Sequence, residues 1–427
     1  MSELLIKNGR VIDPASGRDE TADVLIREGV VAAVGAGLAA AGAEVFDAAG
    51  LVVAPGFIDM HAHLREPGLE HAETIETGSR AAAAGGFTSV CAMANTSPVN
   101  DNPTVTSYIV ERASRHAAVN VFPIGAVTKE LAGEALAEMG SMKKAGAVAV
   151  SDDGCKTTMS ALTVRRAMET ARAFGLPLIQ HCEDFTLSAG GAMHEGLVST
   201  RLGLRGIPGC SEDVIVARDL LLAEVTGAQY HVAHISTRRS LELVAQAKAK
   251  GLAVTCEATP HHMSLSDQDM PPYDSNYKMK PPLRSRDDVA AVVEALASGV
   301  VDAIATDHAP HPGSEKMQEF DRCPFGIIGF ETALGVALEA LYHTGKVSLS
   351  RLVELFTTGP ARILKLNRGR LAPGSPGDVT IFDPELVWTY DVNRSFSKST
   401  NTPWHGKTFR GGPVATVVDG AIVWRRD

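Results

Sequence analysis

The chain lacks a paired cysteine motif, an excess of basic charge and a hydrophobic run of membrane length. Its cysteines (Cys91, Cys155, Cys182, Cys210, Cys256 and Cys323) stand singly, with no Cys-x-x-Cys. That usage excludes a disulfide framework and points to free thiols in a reducing compartment. The formal net charge is −10, which argues against a general nucleic-acid or anionic-membrane binder but leaves room for a local basic site. The longest uncharged stretch, residues 29–43, is rich in Gly and Ala and too short to span a bilayer. The apolar run within Met1–Arg10 is too short and strand-like for a secretory signal. A cytoplasmic protein that binds neither nucleic acid nor membrane is expected.

What is present is ordinary in bulk. Hydrophobic residues make up 45% and charged residues 21% of 427 positions, enough for a sizeable core in one large or two ordinary domains. Short strand patterns separated by turn signals fill residues 1–54, as in Leu4–Lys7, Ala22–Ile26 and Val30–Val34. Residues 367–427 have the same texture, in Asp378–Asp383, Val414–Val418 and Ala421–Trp424. The two ends are therefore expected to build one small composite β-sandwich domain around a central domain at 55–366.

That centre alternates short apolar strands with longer helical patterns. Strands are predicted at Phe87–Met93, Val119–Val127, Ala147–Ser151, Pro177–Gln180, Gln229–Ala233, Ala253–Glu257 and Ala303–Thr306. The run Leu51–Ile58, continuing through Asp59, makes the eighth and reads as one buried strand. A helix is clearest where Val289, Val292, Val293 and Leu296 share a face, and Leu352, Leu355 and Phe356 repeat the pattern. Strand-then-helix repeated eight times predicts an α/β fold, a (β/α)8 TIM-type barrel.

Active-site residues of such barrels sit at the C-terminal strand ends, and the predicted strands end in polar groups. Alternation along the first strand puts Asp59, His61 and His63 on one face. Arg65 follows, a planar cation able to hold a substrate carboxylate. The other strands run into Asn95, Asp152-Asp153, His181, His234, His261-His262 and Asp307-His308 with His311. Each alone also reads as a turn or cap: Asp153-Gly154 is a turn signal and Thr306-Asp307 can start a helix. Four histidines and two aspartates converging on one rim are a donor set for two borderline-soft ions such as Zn²⁺.

Three segments carry a resemblance: Pro55-Gly56-Phe57-Ile58-Asp59-Met60-His61-Ala62-His63-Leu64-Arg65-Glu66-Pro67-Gly68, Ser151-Asp152-Asp153-Gly154, and Thr306-Asp307-His308-Ala309-Pro310-His311. The chain resembles the amidohydrolase superfamily and, within it, the bacterial class I dihydroorotases. The likeness runs from Ile6-Lys7-Asn8-Gly9 through Gly377-Asp378-Val379 to Val418-Asp419-Gly420. It implies two Zn²⁺ per chain, with His61 and His63 on the first metal and His181 and His234 on the second. Asp153, directly before the motif glycine, is implied to bridge them where hydantoinase-like and allantoinase-like relatives use a carboxylated lysine; the nearest lysine here, Lys156, lies past the turn. Asp152 should point to the opposite face.

By the same resemblance Asp307 contacts the first metal and is the general acid/base, with a metal-bridging hydroxide as nucleophile. His63, Arg65, Asn95, His311 and the backbone of Phe325-Gly326 are implied to bind substrate. Where the family usually has Asn, this chain has Lys280 in Lys278-Met279-Lys280-Pro281-Pro282-Leu283-Arg284; the amide's acceptor is lost and a charge gained, and Lys280 is expected to donate to substrate. The implied reaction is the reversible cyclisation of N-carbamoyl-L-aspartate to dihydroorotate in pyrimidine biosynthesis. A homodimer is expected, and a complex with aspartate transcarbamoylase is a further partner the family suggests. Two other readings are a hydantoinase-like or allantoinase-like amidohydrolase, whose substrates lack the carboxylate for Arg65 and His311, and a non-catalytic partner of aspartate transcarbamoylase, a role that usually goes with lost metal ligands. Residues 312–329, with Gly313, Gly326 and Gly329, are expected to close over substrate, and Cys155 and Cys323 to lie near the site mouth.

Overall fold

A computed structural model describes residues 3–155 and 157–427; Lys156 lies outside the described residues. The N-terminal strands are β1 (Glu3–Asp13), β2 (Arg18–Arg27), β3 (Val30–Gly35), β4 (Glu44–Asp47) and β5 (Val52–Pro55). The barrel strands are β6 (Phe57–Ala62), β7 (Phe87–Ala92), β8 (Asn120–Gly125), β9 (Ala149–Ser151) and β10 (Leu178–Gln180). A short pair, β11 (Met193–His194) and β12 (Gly206–Ile207), interrupts them before β13 (Tyr230–Val232), β14 (Val254–Ala258) and β15 (Ala303–Ile304). The chain ends in β16 (Val379–Thr389), β17 (Thr408–Val418) and β18 (Ala421–Arg425).

The end strands share one sheet, in the order β18-β17-β16-β5-β1-β2-β3 with β4 on β1. Two hairpins in it turn on two residues each, Glu28-Gly29 and Asp419-Gly420. All four residues have positive φ, the twist a tight hairpin requires. The sheet encloses a core of its own, with Val11, Val24, Ile26, Val53, Ile381 and Val417 fully buried.

The expected single strand at Leu51–Ile58 is two strands in two sheets. β5 pairs with β1 and β16, whereas β6 pairs with β7. They part at Gly56, where a Cβ would overlap the Thr88 side chain. An apolar run carries no mark of which sheet each half joins.

The eight barrel strands are parallel and ordered β15-β14-β13-β10-β9-β8-β7-β6. Met60, Cys91, Ile124, Ala149, Ile179 and Ala303 form an inner core, against which Ile363 and Leu364 of the helix Thr358–Leu364 pack. The helix Arg286–Ser298 is capped by the Ser285 side chain and stopped at Gly299 (φ 87). Its buried face is Ala291, Val292, Ala295 and Leu296. Val289 and Val293 lie at the flank of that face, a rotation from the expected one.

The seam between β15 and β6 is closed largely by one side chain. Asp59 accepts from Thr306 N at 3.1 Å and from Thr306 Oγ1, and His63 N donates to His308 O at 2.8 Å. Asp59 therefore joins the ends of the barrel and is not part of the metal-binding cluster. Alternation fails here because the pairing of β6 with β7 shifts register between Asp59 and Ala62. Burial raises the Asp59 carboxyl to about 7. Among the described residues no helix is long and apolar enough to cross a membrane.

Candidate metal centre and substrate cavity

Two donor sets meet at the C-terminal rim of the barrel: His61, His63, Asp153 and Asp307, and Asp153, His181 and His234. Within each set the donor atoms lie within 4.8 Å of one another. Asp153 belongs to both, one oxygen to each. Its Oδ2 lies 2.7 Å from His61 Nε2 and 3.3 Å from His63 Nε2. Its Oδ1 lies 3.3 Å from His181 Nδ1 and 3.9 Å from His234 Nε2. Asp307 Oδ1 stands 3.1 Å from His63 Nε2. His234 (φ 31) and Asp307 (φ 47) both adopt left-handed backbone, uncommon for residues with a Cβ and typical of functional turns.

Three of the four histidines have their outward nitrogen tied down. His61 Nδ1 meets Glu257 Oε1 at 2.6 Å, His63 Nδ1 meets Asn95 Oδ1 at 2.8 Å, and His181 Nε2 meets Glu183 Oε2 at 2.7 Å. Each oxygen accepts the outer N–H and so leaves the inner lone pair free for a metal. Burial disfavours a charged His61, yet Asp307, Glu257 and Asp153 outweigh it and raise its pKa well above the ordinary value. Burial also opposes a charged Asp153, but His61 and its neighbours hold the carboxyl well below its usual range. A buried cluster so rich in carboxylate calls for positive charge, and its N/O donor set fits divalent zinc-type ions.

Asp152 faces elsewhere, as expected. Its carboxylate accepts from Val127 N at 2.7 Å and Thr128 N at 2.9 Å, anchoring the loop after β8.

A cavity of about 350 Å³ opens over the cluster, lined by His63, Arg65, Asn95, Asp153, Cys155, His181, Phe185, Lys280, Asp307, His311 and Phe325 among others. Arg65 gives its Nε to Pro310 O at 3.2 Å, and its Nη2 lies 3.3 Å from His311 Nε2. Among the described residues no carboxylate pairs with it within 4.0 Å. Burial lowers its pKa to about 10, so it stays charged. His311 is pushed down to about 2 by burial and the Arg65 charge. It is thus a neutral imidazole that accepts from Arg65.

The backbone of Gly326 is held by its own loop and by Asn401. Its N–H donates to Lys278 O at 2.9 Å, and its carbonyl accepts from Asn401 Nδ2 at 2.9 Å and Lys316 Nζ at 3.2 Å. Both backbone groups are engaged within the loop, and Phe325 is left to line the cavity. Lys280 lines the cavity, and its Nζ lies 2.9 Å from Glu183 Oε1. Cys155 lines the cavity, whereas Cys323, within the 312–329 segment, is buried with its Sγ on Phe320 O. That segment is seated by Lys278, whose Nζ donates to Phe320 O and Cys323 O, and by Asn401, which bonds Ala309 O and Gly326 O and accepts from His311 N.

Glu257, Glu183 and Asn401 were not singled out from sequence. Glu257 and Glu183 both stand at strand ends, and Glu183 follows His181 by two residues, which is the signal the sequence carries. Asn401 has none, since it reaches the site from the distant C-terminal segment.

Comparison with known proteins places the chain. A protein-family model described as dihydro-orotase-like matches residues 50–240, and one described as amidohydrolase family matches residues 232–424. The dihydroorotase of Solibacter usitatus is 66% identical over 423 residues, covering 99% of this chain and 98% of that protein. The chain belongs to the dihydroorotase family. A second dihydroorotase, from Pelotomaculum thermopropionicum, is 53% identical over 421 residues, covering 99% of this chain and 98% of the relative. Among solved structures, the L-hydantoinase of Arthrobacter aurescens superposes with a TM-score of 0.89 at 27% identity, covering 100% of this chain and 96% of that one. The dihydropyrimidinase of Brevibacillus agri gives 0.86 at 25% identity, with coverage of 99% and 95%. The barrel with a companion β domain is thus shared with hydantoinases, while the sequence sides with dihydroorotases.

Proposed function

We propose that this protein is a dihydroorotase that interconverts N-carbamoyl-L-aspartate and dihydroorotate, one step of pyrimidine biosynthesis, with two Zn²⁺ ions per chain. In this reading residues 55–366 form the catalytic barrel, and residues 1–54 with 367–427 form the companion β domain. His61, His63 and Asp307 would hold the first ion, His181 and His234 the second, and Asp153 both. When bound, the ions supply a water acidified to about neutral pH and an electrophile for the ring carbonyl.

The chain's own residues do the rest. Arg65 offers its guanidinium fork to the substrate carboxylate, a charge-assisted and orienting contact. His311, neutral and accepting from Arg65, holds that fork in place. Asn95 fixes the His63 ring, and Phe325 covers the substrate. Asp307 takes the proton of the attacking water and passes it to the leaving amide nitrogen; in ring closure the same proton travels back. Lys280 lines the cavity but is engaged by Glu183.

The observation that carries this reading against a hydantoinase is Arg65, a buried cation without a carboxylate partner among the described residues, opening into the cavity beside the Asp153-centred cluster. Hydantoin and allantoin have no carboxylate to neutralise it. A cytoplasmic homodimer belongs to the same reading: Val214, Leu221 and Val225 are exposed along one side of the helix Cys210–Thr226 and give a partner copy apolar surface to bury. Association with aspartate transcarbamoylase rests on the family resemblance alone. Purified protein should contain two zinc ions per chain and hydrolyse dihydroorotate in preference to hydantoin and allantoin. Preference for hydantoin, or protein that folds and turns over without metal, would overturn the proposal.

A further inference from the structure

Lys280 enters the cavity between two phenylalanine rings, with Nζ 4.8 Å from the ring centre of Phe185 and 5.2 Å from that of Phe325. Its charged partner is Glu183, 2.9 Å away at Oε1. The approach lies off the direction of a good hydrogen bond, and among the described residues Oε1 accepts no hydrogen bond, so the contact is an ion pair. The second oxygen of Glu183 lies 2.7 Å from His181 Nε2, and His181 Nδ1 faces Asp153 at 3.3 Å. Ammonium, carboxylate and imidazole thus stand in series behind the second donor set.

We propose that Lys280 is a positioning residue for the second metal, acting through Glu183 and His181, rather than a ligand of substrate. The inference rests on the binuclear reading above. The Glu183 side chain is only 6% exposed, and a carboxylate buried with one oxygen unpaired is costly. Without Lys280 it would turn toward the water of the cavity and hold His181 Nε2–H less firmly. With Lys280 holding one oxygen, the other oxygen of Glu183 stays on His181 Nε2–H and fixes the tautomer that aims the Nδ1 lone pair at the metal. The carboxylate of the substrate is already provided for by Arg65.

The test uses the zinc-loaded enzyme and the variants Lys280→Met, Lys280→Asn, Glu183→Gln and the double variant Lys280→Met/Glu183→Gln. Competition with a chromophoric chelator gives the two zinc dissociation constants, and steady-state assays at saturating zinc give KM and kcat for dihydroorotate. The weaker zinc constant should rise about tenfold in the Lys280 variants and at least as much in Glu183→Gln, the range for losing a group that supports a metal ligand. The double variant should add little to Glu183→Gln, because both residues act along one path. KM should stay within about twofold of the parent. A tenfold rise in KM with both zinc constants unchanged would make Lys280 a substrate ligand and overturn the proposal, as would parent-like zinc binding and kinetics. A parent enzyme that itself holds fewer than two zinc ions would overturn the binuclear reading and this inference with it.

Discussion

Glu257 and His61 are joined by a wholly buried contact of 2.6 Å between Oε1 and Nδ1. The other oxygen of Glu257 lies 3.1 Å from His231 Nε2, and His231 Nδ1 meets Thr255 Oγ1 at 2.8 Å. This chain sets the His61 ring so that Nε2 looks at Asp153. Glu257→Gln keeps the volume but replaces a carboxylate that can accept from both imidazoles with an amide that has one acceptor oxygen. Zinc affinity should fall roughly 10- to 100-fold, with kcat falling at limiting metal. Chelator competition measures the first directly. Parent-like affinity would mean that packing alone orients His61.

The proton relay is tested at Asp307. Asp307→Asn preserves size but cannot relay a proton. Turnover should drop by at least about 10²-fold in both directions, with little change in fold. Dihydroorotate hydrolysis within a few-fold of the parent would assign the proton to another group. His311 is a poor substitute, since its Nε2 is held by Arg65 and its pKa is pushed down to about 2.

Lys316 gives the segment over the cavity a pH signature. Its Nζ donates to the carbonyls of Lys278, Pro324 and Gly326, and burial lowers its pKa from 10.5 to about 8. Between those values the unfolded chain binds a proton that the folded chain does not, so this group's contribution to stability rises with pH. The stability of the parent relative to Lys316→Met should therefore increase from pH 8 to about 10.5. Denaturant unfolding across that range checks it, and a flat or falling difference would show that Lys316 keeps its proton.

The features legible in the sequence were those with a period or a local motif. Eight strand-helix alternations predicted the barrel, and histidines and aspartates at strand ends predicted the cluster. The hidden features depend on events a period cannot encode. A register shift after Asp59 moved that residue from the metal face to the seam. Gly56 divided one apolar run between two sheets because Thr88 crowds it. Glu183 and Glu257 carry no spacing that separates them from any acid at a strand end. Asn401 pins His311 and Gly326 from a segment whose own sequence shows no link to them.

The pairing of β5 with β16 bears on how the chain is made. Phe57 N, at the start of the first barrel strand, donates to Thr380 Oγ1 across 323 residues. At roughly 5–20 residues per second, ribosomal synthesis leaves β5 waiting on the order of tens of seconds for its partner. Throughout that interval β5 presents an open edge of the kind that recruits other strands. Nascent chains stalled anywhere in the barrel therefore share one exposed edge, and it is there that premature association between copies would begin.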